Sequence, residues 1–510
     1  MPQAPQAQLL GMNVPDPDDV CRGPFLFIKQ IKRYNVDMRN DFSLQQKTTD
    51  LEKLTKEAEN DPLLAKSEIQ PQFTSEFLKK IGIDYQPAKV AKGYIKLHWS
   101  DFIVEEICAD GRIVDITTKE IVLDNDKSGN SSQIGADLVK QGLSTPDAIT
   151  LIAGELGINP ELITTAGLKD SRAITAQEIS IGSSEIEKVR RLEIPNLILK
   201  NVHWRKGAID IGNLKGNKFS ILIRTDKKNN QELIEKIQSI SSQGFYNFFS
   251  FQRFGSRLIN TELGRLIFSG EFEAAVKKYL TDDSPYEIGV VRKLRREAKS
   301  NFGDWEKMIE IFEQYPYLMR SEIRLLKALK ENNGKYLLGL KGILDQTKLF
   351  AYSYGSYYFN KLLSKKITEG EKIPENLPLI SSNAEDINCY RDVISNQEIS
   401  ELKLDQDFLQ FLGTNRRRNI PTKIMPRIGK TIEVDSGYII CFALHKGGYA
   451  TTMLSEIFDL HHGFPTPDWV KTEEIDCKKY LGEGSVQNTI EKLSQTKSNS
   501  QNIEIEENIE

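Results

Sequence analysis

The sequence predicts an α+β protein, and three observations carry that reading. Ile95, Leu97 and Trp99 alternate with Lys96, His98 and Ser100, and residues 101–107 continue in the same strand-like register. Residues 281–430 instead place Ile323, Leu326 and Leu329, then Phe350, Tyr354, Tyr357, Tyr358 and Leu362, at helical spacings. Strand patterning returns at 431–434 and 438–444, so a mostly helical segment interrupts a sheet-forming one.

Taken in order, residues 1–20 are rich in Pro, Gln and Asp and are expected to be disordered. Residues 21–92 form an N-terminal extension with helical stretches at 51–59 and 73–81, and the main domain begins near 87–93. In the strand that follows, alternation sets Phe102, Val104 and Glu106 on one face. A carboxylate on an apolar face needs a partner, so Glu106 belongs either to a structural ion pair or to a site. Ser144-Thr145-Pro146-Asp147 starts a helix with a capping hydroxyl and a first-turn proline, and Gly157 stops it. A strand, a short loop and a second strand of β-branched residues then run to Ile181.

Residues 201–224 predict a strand, a Gly-containing turn and another strand, with Leu214-Lys215-Gly216-Asn217 able to bring backbone close to a phosphate. Residues 230–242 form an amphipathic helix through Leu233, Ile234, Ile237 and Ile240. The next run, Phe245-Tyr246-Asn247-Phe248-Phe249-Ser250-Phe251-Gln252-Arg253-Phe254-Gly255, is too punctuated by polar groups for a plain core strand. Most of its rings read as core; Phe249, with Asn247 beside it, is the one assigned to a site, and Arg253 is placed to meet a carboxylate or a phosphate. The tyrosine stripe of 354–358 reads as core. Residues 481–510 are polar and are expected to form a disordered tail.

The loop between the two strands ending at Ile181 carries one carboxylate, Asp170, beside the cations Lys169 and Arg172. Cations depress a carboxyl pKa, and a carboxylate that stays ionised suits a nucleophile or an electrostatic stabiliser better than a general acid. The other reading of these residues is a charged hairpin turn. Bulk charge is slightly negative at −4 and does not announce a nucleic-acid binder. Local charge does: Arg416, Arg417, Arg418, Lys423, Arg427 and Lys430 form one acid-free run, residues 292–299 a second, and Lys200, Arg205, Lys206, Lys215, Lys218 and Arg224 a third.

The five cysteines are scattered and never spaced as Cys-x-x-Cys, which argues for a reducing compartment and against a zinc site; cytoplasm is the expectation. No run approaches the length that spans a bilayer, and no phosphate-binding or dinucleotide motif occurs, so neither metal nor cofactor is implied. His461-His462 lacks a nearby third ligand.

Five stretches, in order, resemble the motifs of the tRNA-pseudouridine synthase D (TruD) family. They are Lys96 with Asp101-Phe102-Ile103-Val104-Glu105-Glu106; Ala166-Gly167-Leu168-Lys169-Asp170; Arg205-Lys206 with Leu214-Lys215-Gly216-Asn217-Lys218-Phe219; the aromatic run from Asn247 to Gly255; and Gly447-Gly448-Tyr449-Ala450-Thr451. The resemblance covers roughly residues 93–465. It implies the pseudouridine synthase fold, a mixed and largely antiparallel sheet flanked by helices. The catalytic domain would comprise 93–280 and 431–480, with a mostly helical TRUD-type domain inserted at 281–430.

It further implies a monomeric isomerase that converts a uridine of tRNA, at position 13, to pseudouridine without a cofactor. Asp170 would be catalytic and Phe249 would stack on the displaced base. Asn247 would position Asp170 or the base, and Lys96, then Lys169 or Arg172, would keep Asp170 ionised, with Glu106 in support. Arg205, Lys206, Lys215, Asn217, Arg253, Arg416, Arg417, Arg418 and Lys446 would contact RNA. Family members often carry Arg where Ser455 stands, and that departure keeps open a non-catalytic RNA-binding or RNA-folding protein on the same scaffold.

Overall fold

The computed structural model describes residues 44–69, 73–117, 119–121, 132–228, 230–380, 384–403, 408, 412, 417–463 and 466–493. The expectations for residues 1–20, for Arg416 and for residues 494–510 lie outside the described residues.

The strands are β1 (Ala91–Tyr94), β2 (Phe102–Cys108), β3 (Ser132–Gln141), β4 (Ile163–Thr165), β5 (Ile174–Ile181), β6 (Leu197–Lys206), β7 (Leu214–Arg224), β8 (Phe245–Tyr246), β9 (Asn376–Pro378), β10 (Asn419–Pro421), β11 (Lys423–Ile424), β12 (Arg427–Val434), β13 (Gly437–His445) and β14 (Phe458–His461). Among the described residues, ten of them form one sheet along the path β12-β13-β7-β2-β5-β3-β6, with β1, β4 and β14 at its margins. β2 runs parallel to β5 and β1 parallel to β14; the remaining pairs are antiparallel. This is the mixed, largely antiparallel sheet flanked by helices that the sequence led us to expect.

Period-two alternation divides the sheet chemically. On one face Ile103, Val139, Ile174, Leu222 and Ile439 bury against the C-terminal helices Cys477–Leu481 and Gln487–Leu493. On the other face Phe102, Phe219 and Phe442 form a row of rings with centroids 6.3 and 5.1 Å apart. Glu106 falls on this second face, as its spacing from Phe102 requires.

Three expectations are corrected. The alternation at 95–99 does not form a strand: β1 ends at Tyr94, Lys96 adopts a left-handed φ of 62°, and Trp99–Asp101 is a 3-10 turn. The chain has to turn here because β1 and β2 both lie against β7, with Tyr94 opposite Arg224 and Phe102 opposite Ile221. Asp101 then pairs with Arg224 at 2.7 Å, both side chains fully buried. Second, residues 483–493 are ordered. Val486, Ile490 and Leu493 sit at helical spacing within a polar stretch, and this sparse stripe is enough to dock the last helix. Third, the helical part begins before 281. Helices Asn260–Phe268 and Phe272–Thr281 pack on the long helix Leu344–Thr368 through Phe268–Tyr354 and Tyr279–Phe350 ring contacts of 5.2 and 5.3 Å.

The tyrosine stripe is core: Tyr354 and Tyr358 are buried and donate their hydroxyls to Glu398. The N-terminal helix Leu44–Ala58 fastens to the helical part, where the Asp50 carboxylate accepts the amides of Tyr317 and Leu318 at 2.9 and 3.0 Å. Among the described residues no helix is long and apolar enough to cross a membrane.

Leu493 is fully buried and its carbonyl accepts the Asn196 amide. Leu493→Ala is therefore expected to cost about 2–5 kcal/mol in urea-denaturation stability, whereas an unstructured tail would give no change.

Candidate active site

The hairpin β4–β5 pairs Thr165 with Ile179, and the loop between them carries Asp170. Loop backbone that leaves a sheet must find hydrogen-bond partners, and here buried side chains supply them. Lys140 on β3 is fully buried, and its ammonium donates to the carbonyls of Leu143 (2.6 Å), Asp170 (3.0 Å) and Lys169 (3.3 Å). Thr145 accepts the Lys169 amide at 2.9 Å, the Gln177 amide group donates to the Gly167 carbonyl at 2.9 Å, and the Gly212 amide donates to the Ala166 carbonyl at 2.7 Å. Lys140 escaped the sequence reading because it looks like an ordinary strand lysine; nothing local shows that its ammonium will be enclosed.

Asp170 meets Lys96 at 3.1 Å through Oδ2, and Gln252 donates to its Oδ1 at 3.3 Å. The carboxylate side chain is about one-third exposed at 34%, and that of Lys96 is more enclosed at 17%. The Lys96 charge holds the Asp170 carboxyl below the usual carboxylate range; burial opposes it, and Lys140 and Lys169 add to the depression. The Lys96 ammonium also stands 4.3 Å from the centroid of Phe102. Its positive φ is uncommon for a residue with a side chain, and such conformations concentrate where a group has to be aimed.

Lys96 is thus at hydrogen-bonding distance of the carboxylate. Lys169 turns inward onto Glu106 instead, in an ion pair whose side chains are 4% and 1% exposed. Glu106, which also accepts the Glu178 amide, is accordingly a buried ion-pair member. Arg172 is half-buried in the same loop. Gln252, not singled out from the sequence, lies inside the quoted aromatic run and joins that run to the carboxylate.

The run itself is locked by Asn360 of helix Leu344–Thr368. This fully buried side chain accepts the Phe249 amide at 2.8 Å and donates to the Phe249 and Ile81 carbonyls at 2.9 and 2.8 Å. The Phe249 ring is 6% exposed, edge-on to Phe359 and Tyr449, with the Arg253 guanidinium 5.2 Å from its centroid. Asn247 does not reach Asp170. Its amide nitrogen donates to the Pro421 carbonyl at 2.9 Å, and its Oδ1 is buried without a hydrogen-bond donor.

The basic runs divide sharply. The three arginines of 292–299 are neutralised, while Lys293 and Lys299 are exposed: Arg295 is buried between Glu287 and Glu322, Arg292 meets Glu68, and Arg296 meets Asp283. Within the third run, Lys200 caps the carbonyls of Thr117 and Lys119, Lys218 pairs with Glu105 and Glu483, and Arg224 with Asp101. Arg205 is half-buried against the Gly207 carbonyl and 3.9 Å from Glu178. Lys206 and Lys215 are exposed. Lys446 is exposed and donates to the Gly212 carbonyl, one link from the Asp170 loop. Asn217 lies opposite Glu106 with its Oδ1 buried and without a donor. Arg417 pairs with Asp386 at 2.9 Å while half its side chain stays exposed, and Arg418 donates to the Tyr352 hydroxyl at 2.8 Å. Ser455 keeps its hydroxyl on the Thr452 carbonyl, and its own carbonyl accepts the Lys89 ammonium.

Two expected outcomes test this geometry. Lys96→Met removes the cation that favours the anion, so the Asp170 carboxyl should titrate at higher pH in a carbon-13 NMR titration. Lys140→Met leaves carbonyls of the loop without their donor, and amide exchange across 166–173 should quicken by roughly tenfold while exchange in β5 stays slow.

Comparison with known proteins bears on the family of the chain. The family model described as tRNA pseudouridine synthase D (TruD) matches residues 82–379, more than half the chain. The chain is 28% identical over 392 residues to a probable tRNA pseudouridine synthase D 1 of Methanocaldococcus jannaschii, covering 72% of this chain and 95% of that one. It is 33% identical over 377 residues to a probable tRNA pseudouridine synthase D of Thermococcus gammatolerans, covering 64% and 88%. A bovine pseudouridylate synthase 7 homolog is 29% identical over 266 residues, covering 50% and 40%. The crystal structure of a putative tRNA pseudouridine synthase D from Methanosarcina mazei shares the fold, with a TM-score of 0.50 at 22% identity over 74% of this chain and 97% of that one. With a site of this geometry and a match of this extent, the chain belongs to the tRNA pseudouridine synthase D (TruD) family of pseudouridine synthases.

Proposed function

We propose that this protein isomerises a uridine of tRNA to pseudouridine, with Asp170 as the reacting carboxylate and, on the family resemblance, position 13 as the target. The observation that carries the proposal is a single carboxylate kept ionised by Lys96, one-third exposed, and hydrogen-bonded by Gln252 of the aromatic run.

The reaction breaks the N1–C1′ bond, turns the uracil within the pocket and joins C5 to C1′. The C5 proton leaves, N1 gains one, and no oxidant, reductant or water is consumed. One anion beside C1′ suffices, either adding to the sugar carbon or helping to remove the 2′ proton. An extruded base needs a ring to stack on and partners for its edge. Phe249 supplies the ring once the Arg253 guanidinium gives way, and the unpartnered Oδ1 of Asn247 is an acceptor suited to the uracil N3–H. Lys206, Lys215, Lys446, Arg417 and Arg418 are exposed or partly exposed cations suited to phosphates of a folded RNA.

Asp170→Asn keeps the side chain's size and removes its charge. It should abolish tritium release from tRNA labelled at uracil C5, a fall of more than about a thousandfold, while RNA affinity changes less than about twofold. Retained release in this variant would overturn the assignment. Tight RNA binding by the unaltered protein with no release at all would favour the non-catalytic scaffold.

A further inference from the structure

Arg253 carries a charge that the described residues leave without a counter-ion. Among them its guanidinium makes no hydrogen bond and no ion pair, and its Nε is buried with no acceptor. It lies 5.2 Å from the centroid of Phe249 and 5.8 Å from that of Tyr352. Arg418 addresses the same Tyr352 ring at 4.5 Å and donates to its hydroxyl at 2.8 Å; it too has no carboxylate partner among the described residues. Arg224, Arg292, Arg295 and Arg417, by contrast, each sit on a carboxylate.

An arginine stacked on a ring keeps its in-plane N–H donors, and two such forks on one aromatic ring offer donors for the oxygens of a phosphate. Their position selects which phosphate. Arg253 follows Gln252, whose amide touches the Asp170 carboxylate, and its guanidinium lies against the ring of Phe249, so the same short segment reaches both the carboxylate and the stacking ring. Tyr352 belongs to helix Leu344–Thr368, and Arg418 to the segment returning from the helical part, so the helical part contributes two of the three side chains.

We infer that Arg253, Tyr352 and Arg418 form a binding site for the phosphodiester that flanks the extruded nucleotide. The inference rests on the reading of the chain as a pseudouridine synthase. It adds a consequence for the site. Drawing Arg253 toward the phosphate takes its guanidinium off the Phe249 ring, so backbone binding clears the surface on which the base stacks.

The test uses the full chain and a tRNA containing the target uridine, made with the ordinary phosphodiester or with an uncharged methylphosphonate 5′ or 3′ of that uridine. With the ordinary substrate, Arg253→Gln and Arg418→Gln should each bind roughly tenfold more weakly, and the slope of log affinity against log salt should shrink. Tyr352→Leu, which removes the spacer but no charge, should weaken binding in the same direction. The unaltered protein should lose a similar factor with one of the two methylphosphonates, and the Arg253→Gln/Arg418→Gln double variant should lose no more on that substitution. If both single variants bind like the unaltered protein, or if the double variant loses the full factor on either methylphosphonate, the phosphodiester site is wrong even though tritium release proceeds. If the unaltered protein neither binds these tRNAs nor releases tritium, the underlying reading fails and takes this site with it. Thermal unfolding at the unaltered temperature confirms that the substitutions act on binding.

Discussion

Enclosed ammonium groups hold the Asp170 loop, and the site is arranged around that constraint. Taking a lysine charge out of water is expensive unless oxygens replace its hydration. Lys140 meets the demand with three backbone carbonyls, two of them from Lys169 and Asp170 themselves. Lys169 meets it with the Glu106 carboxylate beneath the loop. The same charges that tie down the backbone also lie close enough to favour the anionic form of Asp170. Positioning and ionisation therefore come from one set of groups, with Lys96 adding the direct contact from a different strand connection.

The second wall of the site comes from the helical part. Asn360 ties the backbone of Phe249 to the end of helix Ser75–Lys80 through the Ile81 carbonyl, so an N-terminal element, the aromatic run and the long helix share one buried amide. Gln252 then brings that run against the loop on the sheet. Asp170 lies where two layers meet, with an anion on one side and aromatic rings on the other. The opposite face of the sheet is sealed by Leu481, Val486 and Leu493, which accounts for how a largely polar C-terminal stretch contributes to the frame.

Charge behaves differently from what its density along the chain suggests. Residues 292–299 look like a phosphate-binding face, yet Arg292, Arg295 and Arg296 are spent on Glu68, Glu287, Glu322 and Asp283. Lys200 and Lys218 serve carbonyls and carboxylates in the same way. Long-range electrostatics toward RNA then fall to the cations that remain at the surface, which is consistent with a chain whose net charge is −4.

Much of the frame was written in local pattern. Alternation on β2 and β7, the Ser144 cap with Gly157 at the far end, and the order helix–strand–loop–strand around Asp170 depend on near neighbours, and near neighbours are what a sequence displays. Motif order likewise singled out Asp170 and Lys96, which the fold brings into contact. Lys140, Gln252 and Asn360 could not be found that way. Each acts through partners between 3 and 279 positions away, and its role depends on which carbonyl or carboxylate the fold brings to its tip. The same holds for the choice of Lys96 over Lys169 and for the inward turn of Glu106. Residue type and spacing determined that a carboxylate sits among cations on a sheet hairpin. Which cation touches it, and which charges are consumed within the protein, was decided by tertiary packing, because burial and distance set the strength of an ionic contact and neither is a property of the chain's order alone.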